Sequence, residues 1–462
     1  MKQDFSAIKD FGDNRGMTVP EQADKRRALV AKLLARKAAP QGVTPVPRDG
    51  GPLPCSHEQR RIWLAQQSDP AAAPNVTLGV ALSGRLDLAR LAEAFAALIR
   101  RHEVFRTTYT ETPEQVVHGA LPAPLEYLDV GDMPRPEHAA LDLALARSGE
   151  RFPVGHGPLL RLTVFRVAPE EHRLFLVCHH IAADGGSLGV VADDLAALYS
   201  GLPRPDLPIQ YADYAAWSTQ RAETRIAERL PYWHDLLSGA PAPLFEGLTA
   251  GETASARGRR AGATAAIRVG RETVDRLRRL GDGPTTPFVA LCAAYLTLLQ
   301  RMTGRRDLVT GIVSASRTRR ELEPVVGTFV NMLPLRVALP AGQGFPALLT
   351  RVREAAAGAL ANEIPFDTLV SRAGVARIPG VHPVFQTSFI HRDDPKPPAT
   401  WEGLEARVWD HEVDDAALDL MLTATPRGDE YELAFTGKLD RFSAGQVKEL
   451  PVVFRELLEE LR

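Results

Sequence analysis

The sequence is poor in cysteine, lacks any long apolar run and carries almost no net charge. Three cysteines in 462 residues are few and odd in number, which argues against a disulfide framework and favours a reducing compartment. No segment reaches the roughly 20 apolar residues that a membrane-spanning helix needs, and the polar start of the chain lacks the apolar core of a signal peptide. The formal net charge of -2 gives no reason to expect nucleic acid or an anionic membrane as a partner. We therefore expect a cytoplasmic protein.

The remaining composition, 45% hydrophobic and 24% charged, is typical of a globular protein, and the length predicts two or three domain-sized units. Residues 1–50 form a tail of their own. After a polar start, Thr18 and Glu21 have the spacing of a capping box ahead of a short basic amphipathic helix, and a Pro- and Gly-rich linker follows. This helix would either dock a partner protein or pack on its own body.

Two halves with a similar order of predicted elements follow, residues 51–240 and 267–462. They are joined by a connection over 241–266 that is rich in Gly, Ala, Thr and Arg and has no apolar periodicity. Apolar periodicity predicts strands and helices in mixed order in both halves, hence an α/β (α+β) fold. The predicted strands are 76–82, 104–109, 160–167, 173–178, 308–313, 329–337, 384–390, 418–425 and 431–436, the last two as a hairpin. The predicted helices are one capped by Asp87, then 188–199, 286–302, 345–360 and 443–461.

The most informative segment begins at Cys178 and reads CHHIAADGGSLGV, directly after the apolar run 174–177. Side chains alternate along a strand, so His179 and His180 cannot point the same way. One imidazole ring can enter a cavity while the other packs into the protein. Asp184 can then place its carboxylate close to the turn. Such a loop suits a single imidazole held beside a reacting group.

Other interpretations of this loop involve no chemistry. A histidine pair is often structural, and an Asp-Gly step is often only a turn. Metal binding is not favoured, because no further His or Cys stands at the i, i+4 or Cys-x-x-Cys spacing of zinc sites. Cys178 is interpreted as a buried filler rather than a nucleophile. We therefore predict no metal.

Taken in order, the motifs of this chain resemble those of the condensation domains of nonribosomal peptide synthetases. The similarity covers nearly everything from residue 52 to the end. Beside the histidine loop (HHxxxDG), the segments that carry it are SHEQRRIW at 56–63, RHEVFRT at 101–107, YADYAAW at 211–217, VGTFVNMLPLR at 326–336, IPFDTLV at 364–370 and HPVFQ at 382–386.

This resemblance implies two chloramphenicol-acetyltransferase-like lobes in a V-shaped pseudo-dimer with a central tunnel, and His180 midway along that tunnel. The chain itself would bind no cofactor. Its acyl substrate would arrive on the phosphopantetheine of a peptidyl or acyl carrier protein. A second carrier, or a soluble amine or alcohol, would deliver the acceptor from the opposite face.

The activity implied by the resemblance is transfer of an acyl or aminoacyl group from the carrier-bound thioester to an amine, forming an amide. His180 would accept a proton or a hydrogen bond from the nucleophile, and the two roles stay open at this point. Gly185 would offer its backbone N–H to the reaction centre. Two alternatives remain: ester formation with a hydroxyl acceptor by a freestanding condensation enzyme, and a non-catalytic recruitment domain of the same fold. The resemblance also leaves open whether the chain is a freestanding enzyme or the excised first domain of a synthetase.

The resemblance also assigns supporting residues. Asp184 matches an aspartate that pairs with an arginine, for which Arg317 is the best candidate, and His179 is expected to be structural. Asn331, Thr387 and Ser388 are expected to line the tunnel. Gly186 departs from the tryptophan often found after Asp-Gly in this family, which would leave room for an unusual acceptor.

Overall fold

The structure is a computed structural model that describes residues 42–68, 75–241, 243–245, 261–339, 342, 344–374, 381–392, 400–411 and 416–461. The chain divides into two compact units, Met1–Thr44 and Pro45–Arg462, and all elements named here belong to the second. The amphipathic helix predicted after Thr18 and most of the predicted connection lie outside the described residues. Within the described ranges, none of the helices combines the length and apolarity that a bilayer crossing requires.

Fourteen strands and ten α-helices are described. The strands are β1 Leu53–Pro54, β2 Asn75–Ser83, β3 Thr107–Tyr109, β4 Glu114–Val117, β5 Leu125–Asp129, β6 Leu160–Ala168, β7 Glu171–His179, β8 Gly262–Gly270, β9 Asp307–Ser314, β10 Asn331–Ala338, β11 Thr387–His391, β12 Glu405–Val408, β13 Leu420–Arg427 and β14 Glu430–Lys438. The helices are α1 His57–Ser68, α2 Leu88–Arg101, α3 Pro136–Ser148, α4 Gly185–Tyr199, α5 Tyr211–Leu237, α6 Arg271–Arg279, α7 Pro287–Thr303, α8 Phe345–Ala361, α9 Phe366–Arg372 and α10 Ala444–Glu460.

The first half of the sequence builds a five-stranded sheet in the order β12-β2-β7-β6-β5. Strands β2, β7 and β6 pair antiparallel, and β5 runs parallel to β6. The edge strand β12 comes from the second half of the sequence and pairs antiparallel with β2, Glu405 lying opposite Ser83. This sheet is therefore completed by a strand more than 300 residues away from its partner in sequence.

The second half builds a six-stranded sheet in the order β10-β9-β11-β13-β14-β8, in which β11 runs parallel to both β9 and β13. A small third sheet has the order β1-β4-β3. Strand β8 begins at Gly262, inside the segment predicted as a connection. Mixed sheets with helices in both halves confirm the predicted α/β fold class.

The core of the second half forms around α7. Its N-cap Thr286 accepts a hydrogen bond from the Val289 N–H, Pro287 occupies the first turn, and Gly304 ends the helix with a φ of 70°. Ten of its 17 residues are buried. They pack into one apolar cluster with side chains from α8, α10 and the six-stranded sheet, so burial of apolar surface rather than helix propensity stabilises this helix.

Most predicted elements are confirmed, including the hairpin β13–β14 and the helix capped by Asp87, whose carboxylate accepts from the Arg90 N–H. The strand predicted at 104–109 is wrong in its first half, because Glu103–Arg106 forms a 3-10 turn and β3 begins at Thr107. Val104 and Phe105 are both buried, which a half-buried strand with alternating faces does not allow.

Candidate active site

The histidine loop joins the last residue of β7 to the first turn of α4. Eight of the nine residues of β7 are buried, so the strand fixes the position at which the loop begins. Ile181, Ala182 and Ala183 are also buried. The Asp184 N–H donates to the Gly327 carbonyl at 3.2 Å, so the loop is attached at both ends to the body of the protein.

The two adjacent histidines lie in different environments. His179 is only 1% exposed, and its ring meets Phe152 edge-on, with centroids 6.1 Å apart. Its Nδ1 accepts a hydrogen bond from the Ile181 N–H at 3.1 Å. Burial, and secondarily the neighbouring His180, lower the pKa of His179 to about 4. This imidazole is therefore neutral near pH 7, and its contacts are those of a packing residue.

His180 is half-buried and lies in the turn after β7. Its Nδ1 is 3.5 Å from the hydroxyl of Thr328, a residue that is completely buried. If the protonated Nδ1 donates to this oxygen, Nε2 keeps a lone pair that can accept a proton or a hydrogen bond. Sequence reasoning missed Thr328, although it belongs to a quoted motif, because only the fold brings residues 148 positions apart together.

Asp184 is buried and caps the N-terminus of α4. Its Oδ1 accepts from the backbone N–H and the hydroxyl of Ser187, both at 2.8 Å, and its Oδ2 accepts from the Phe329 N–H at 2.8 Å. These three hydrogen bonds hold both oxygens of the carboxylate within the protein framework. They tie the histidine loop to the segment around Gly327 and Phe329.

Arg317 is the cation that faces this carboxylate. Its Nη2 lies 3.7 Å from Asp184 Oδ1 and donates to Ser187 Oγ at 2.8 Å. Its Nη1 donates to the carbonyls of Leu322 and Val325 at 2.6 and 2.7 Å, and its guanidinium lies 4.1 Å over the Phe329 ring. Burial lowers the pKa of Arg317, and Asp184 opposes that effect. The arrangement is that of a buried, hydrogen-bonded ion pair.

The segment opposite the histidine loop is held by Tyr211 of α5. The Tyr211 hydroxyl donates to the Thr328 carbonyl and is 2.8 Å from Ser56 Oγ. A Cβ at Gly327 would lie 1.7 Å from Cδ2 of the tyrosine ring, so only glycine allows this close approach.

Replacing Gly327 with alanine is expected to lower the free energy of unfolding by about 3 kcal/mol, since the added carbon overlaps a buried ring. Urea denaturation measures this change. Gly119→Ala is the matched control, because a Cβ at Gly119 meets no atom within 4 Å. Equal stability of the two variants would contradict the packing described for Tyr211.

Gly185 and Gly186 begin α4. A Cβ at Gly185 would meet no atom within 4 Å, and one at Gly186 would meet Asp184 Oδ1 and Arg317 Nε at ordinary distances of 3.6 and 3.8 Å. The folded chain itself therefore tolerates a methyl group at either position. A requirement for glycine at Gly185 would have to come from a bound substrate.

The three residues expected to line a tunnel are buried. Asn331 donates to Glu363 Oε1 at 3.1 Å and to the Ile364 carbonyl at 2.9 Å, and it accepts from the Phe366 N–H at 3.2 Å. Thr387 donates to the Thr310 hydroxyl at 3.0 Å. The Asn331 bonds fasten β10 to the start of α9, whereas the Thr387 bond joins β11 to β9 within the six-stranded sheet. Ser388 Oγ is buried without a hydrogen-bond partner among the described residues.

Neither metal nor thiol chemistry gains support from the described residues. Across those ranges, no group of three or more His, Cys, Asp or Glu side chains is placed to hold a metal ion. Burial raises the pKa of the Cys178 thiol far above its usual range, with Asp184 adding to the effect. A buried protonated thiol is a poor nucleophile.

The family model described as Condensation domain matches residues 51–462. Phosphinothricin tripeptide synthetase PhsC of Streptomyces viridochromogenes is 34% identical over 88% of this chain, and chondramide synthase cmdD of Chondromyces crocatus is 32% identical over 88%. The chain spans 39% of the first protein and 11% of the second.

Solved structures agree with this assignment. The X-domain from teicoplanin biosynthesis has a TM-score of 0.79 and 26% identity, over 91% of this chain and 96% of that one. The SgcC5 protein of Streptomyces globisporus has a TM-score of 0.72 and 25% identity, over 88% and 98%. The first condensation domain of the calcium-dependent antibiotic synthetase, at 22% identity over 89% and 96%, shares the fold with a TM-score of 0.73. The chain therefore belongs to the condensation domain family of nonribosomal peptide synthetases.

Proposed function

We propose that this chain transfers an acyl or aminoacyl group from a phosphopantetheine thioester on a carrier protein to an amine, forming an amide. The observation that carries the proposal is the setting of His180. Its ring is half-buried at the end of a buried strand, with the Thr328 hydroxyl on the Nδ1 side. The carboxylate of Asp184, which belongs to the same motif, already accepts hydrogen bonds from backbone N–H groups of the protein. The imidazole is thus the group of this loop best suited to act on a substrate, through Nε2.

The chemistry needs little more than alignment, because a thioester is already activated. The amine nitrogen attacks the carbonyl carbon, a C–N bond forms, the C–S bond breaks, and the thiolate leaves with the proton that the nitrogen loses. His180 accepts that proton or a hydrogen bond from it at Nε2. The Gly185 N–H, at the positive end of α4, stabilises the oxyanion that forms on the carbonyl. The chain contributes these groups and no cofactor of its own.

Thr328 is a positioning residue in this proposal, since it acts through His180. We expect Thr328→Val to lower kcat about tenfold with little change in KM, because loss of one hydrogen bond of about 1 kcal/mol leaves the ring orientation and tautomer unspecified. Thr328→Ser keeps the hydroxyl and is expected to restore kcat. Steady-state kinetics of all three proteins measure the effect. A valine variant with wild-type kcat would contradict this role.

The acceptor class is tested by offering a loaded carrier protein with a panel of amines and alcohols and identifying products by mass. Amide products support the proposal. Ester products favour a second candidate function, which is ester formation with a hydroxyl acceptor. One observation favours it: SgcC5 has been solved with a naphthyl ethanediol, a compound with two hydroxyl groups, bound.

Recruitment of another protein is a candidate function of a different class. It is favoured by the TM-score of 0.77 to the teicoplanin X-domain in its complex with OxyB. A recruitment domain would not depend on His180. Replacement of His180 with alanine therefore separates the two classes.

A further inference from the structure

The backbone between β9 and Arg317 passes through a conformation that most residues avoid. Ser316 has a φ of 48°, in the left-handed region. A residue with a Cβ is disfavoured there by a factor of about 5 to 30, whereas glycine adopts this conformation readily. Ser316 directly precedes Arg317, so its backbone sets the direction in which the arginine leaves the end of β9. Strained residues of this kind persist only where their surroundings hold them, and they cluster at functional sites.

The Glu363 carboxylate is the group that holds Ser316. Its Oε1 accepts a hydrogen bond from the Ser316 hydroxyl at 2.7 Å, and its Oε2 accepts one from the Ser314 hydroxyl at 3.0 Å. Oε1 also accepts from the side-chain amide of Asn331 at 3.1 Å, and Asn331 lies opposite Ser314 in the β9–β10 pair. Hydrogen bonds to a carboxylate are stronger than those between neutral groups, so they can offset the backbone strain at Ser316.

Glu363 itself is held in place by α5. The Arg229 guanidinium donates to the Glu363 carbonyl at 2.7 Å, and the Trp233 indole N–H donates to the carbonyl of the preceding residue at 2.7 Å. Both donors belong to α5, the helix that also holds the Thr328 carbonyl through Tyr211. The same helix therefore fixes Glu363 and the segment opposite the histidine loop.

Arg317 connects Ser316 to the histidine loop. Its Nη2 lies 3.7 Å from Asp184 Oδ1 and donates to Ser187 in the first turn of α4 at 2.8 Å. These contacts join the end of β9, in the second half of the chain, to the loop that carries His180. A change of backbone conformation at Ser316 would therefore move the guanidinium away from this loop.

Resting on the proposed function, we propose that Glu363 is a positioning residue of the active site. It holds Ser316 in the left-handed conformation and thereby directs Arg317 onto the histidine loop. The loop in turn keeps His180 in the position from which it acts on the substrate. Because the carboxylate already accepts from two hydroxyl groups and an amide, Glu363 acts through these residues and not on the substrate itself.

The test separates loss of the hydrogen bond from relief of the strain. Ser316→Gly and Ser316→Ala both remove the hydroxyl, but only glycine relieves the strain. We expect Glu363→Ala to lower kcat by a factor of at least about five with little change in KM, because the left-handed conformation is no longer held. Adding Ser316→Gly to this variant is expected to restore most of kcat, whereas adding Ser316→Ala, the matched control, is expected to restore none.

Steady-state transfer from a loaded carrier protein measures these rates, at a temperature where circular dichroism shows every variant folded. Glu363→Gln, which keeps the volume and one acceptor oxygen, takes the place of Glu363→Ala in the same comparison if the alanine variant does not fold. Equal kcat in the glycine and alanine double variants would overturn the proposal, since a residue that contributes only to stability gives no rescue by glycine.

A second measurement needs no substrate. The Arg317 Nη1 protons donate to the carbonyls of Leu322 and Val325, so they should exchange slowly and give NMR signals that are absent in Arg317→Lys. We expect Glu363→Ala to lose these signals and the added Ser316→Gly to restore them. Unchanged signals in Glu363→Ala would overturn the role of Glu363. A wild-type protein without acyl transfer, whose NMR signals respond as expected, would overturn the proposed function but not the link from Glu363 to Arg317.

Discussion

His180→Ala is expected to lower the rate of acyl transfer by a factor of about 10² to 10⁴ while the protein stays folded, because that is the usual contribution of a positioned acid–base group. The half-buried ring contacts Thr328 at 3.5 Å, and its removal leaves the hydrogen bonds of Asp184 with Ser187 and Phe329 intact. Single-turnover transfer from a loaded carrier protein to the best acceptor of the panel measures the rate, and circular dichroism with thermal melting checks the fold.

His156→Ala is the control, since His156 is an exposed histidine in a loop and should leave the rate unchanged. An unchanged rate in His180→Ala would remove the catalytic assignment and favour the recruitment function. A loss of rate accompanied by a large fall in melting temperature would instead mean that the ring has a structural role.

Asp184→Ala is expected to lower the free energy of unfolding by about 3 to 5 kcal/mol, the range for breaking a buried ion pair on one side. The substitution removes the acceptor of three hydrogen bonds and leaves Arg317 buried without its carboxylate. Urea denaturation and soluble yield are the measurements. Asp184→Asn keeps an acceptor oxygen but not the charge, so it is expected to be intermediate.

Asp193→Ala provides the comparison on the same helix, at a half-buried position. It should change stability by much less than Asp184→Ala. Normal yield and normal unfolding of Asp184→Ala, with activity lost, would contradict the scaffold role and would place the carboxylate in the chemistry.

The sequence was sufficient to locate the histidine loop and its strand, because β7 contains the apolar run 174–177 and ends at His179. The alternation of side chains along a strand also anticipated that the two histidines would differ in surroundings: one is 1% exposed and the other half-buried. Local signals such as the Asp87 cap are likewise visible in sequence, since donor and acceptor are three residues apart.

Contacts between distant segments could not be predicted in the same way. Gly327 is a glycine because the Tyr211 ring passes beneath it, and neither residue reveals that alone. Helix α5, with 27 residues, was not predicted, since its apolar positions are divided between several neighbours and it contains Pro231. The link from Ser56 to Thr328 likewise depends on Tyr211, which lies 155 residues further along the chain than Ser56.

Strand β12 has a consequence for attempts to divide this protein. Because residues 405–408 cover one border of β2, a fragment ending near residue 240 would expose a row of unpaired backbone amides and carbonyls along Val80 to Ser83. An exposed strand edge of this kind can pair with strands of other molecules and so promotes aggregation. Fragment complementation or domain exchange should therefore keep the late strand with the early sheet, even though the two are far apart in the gene.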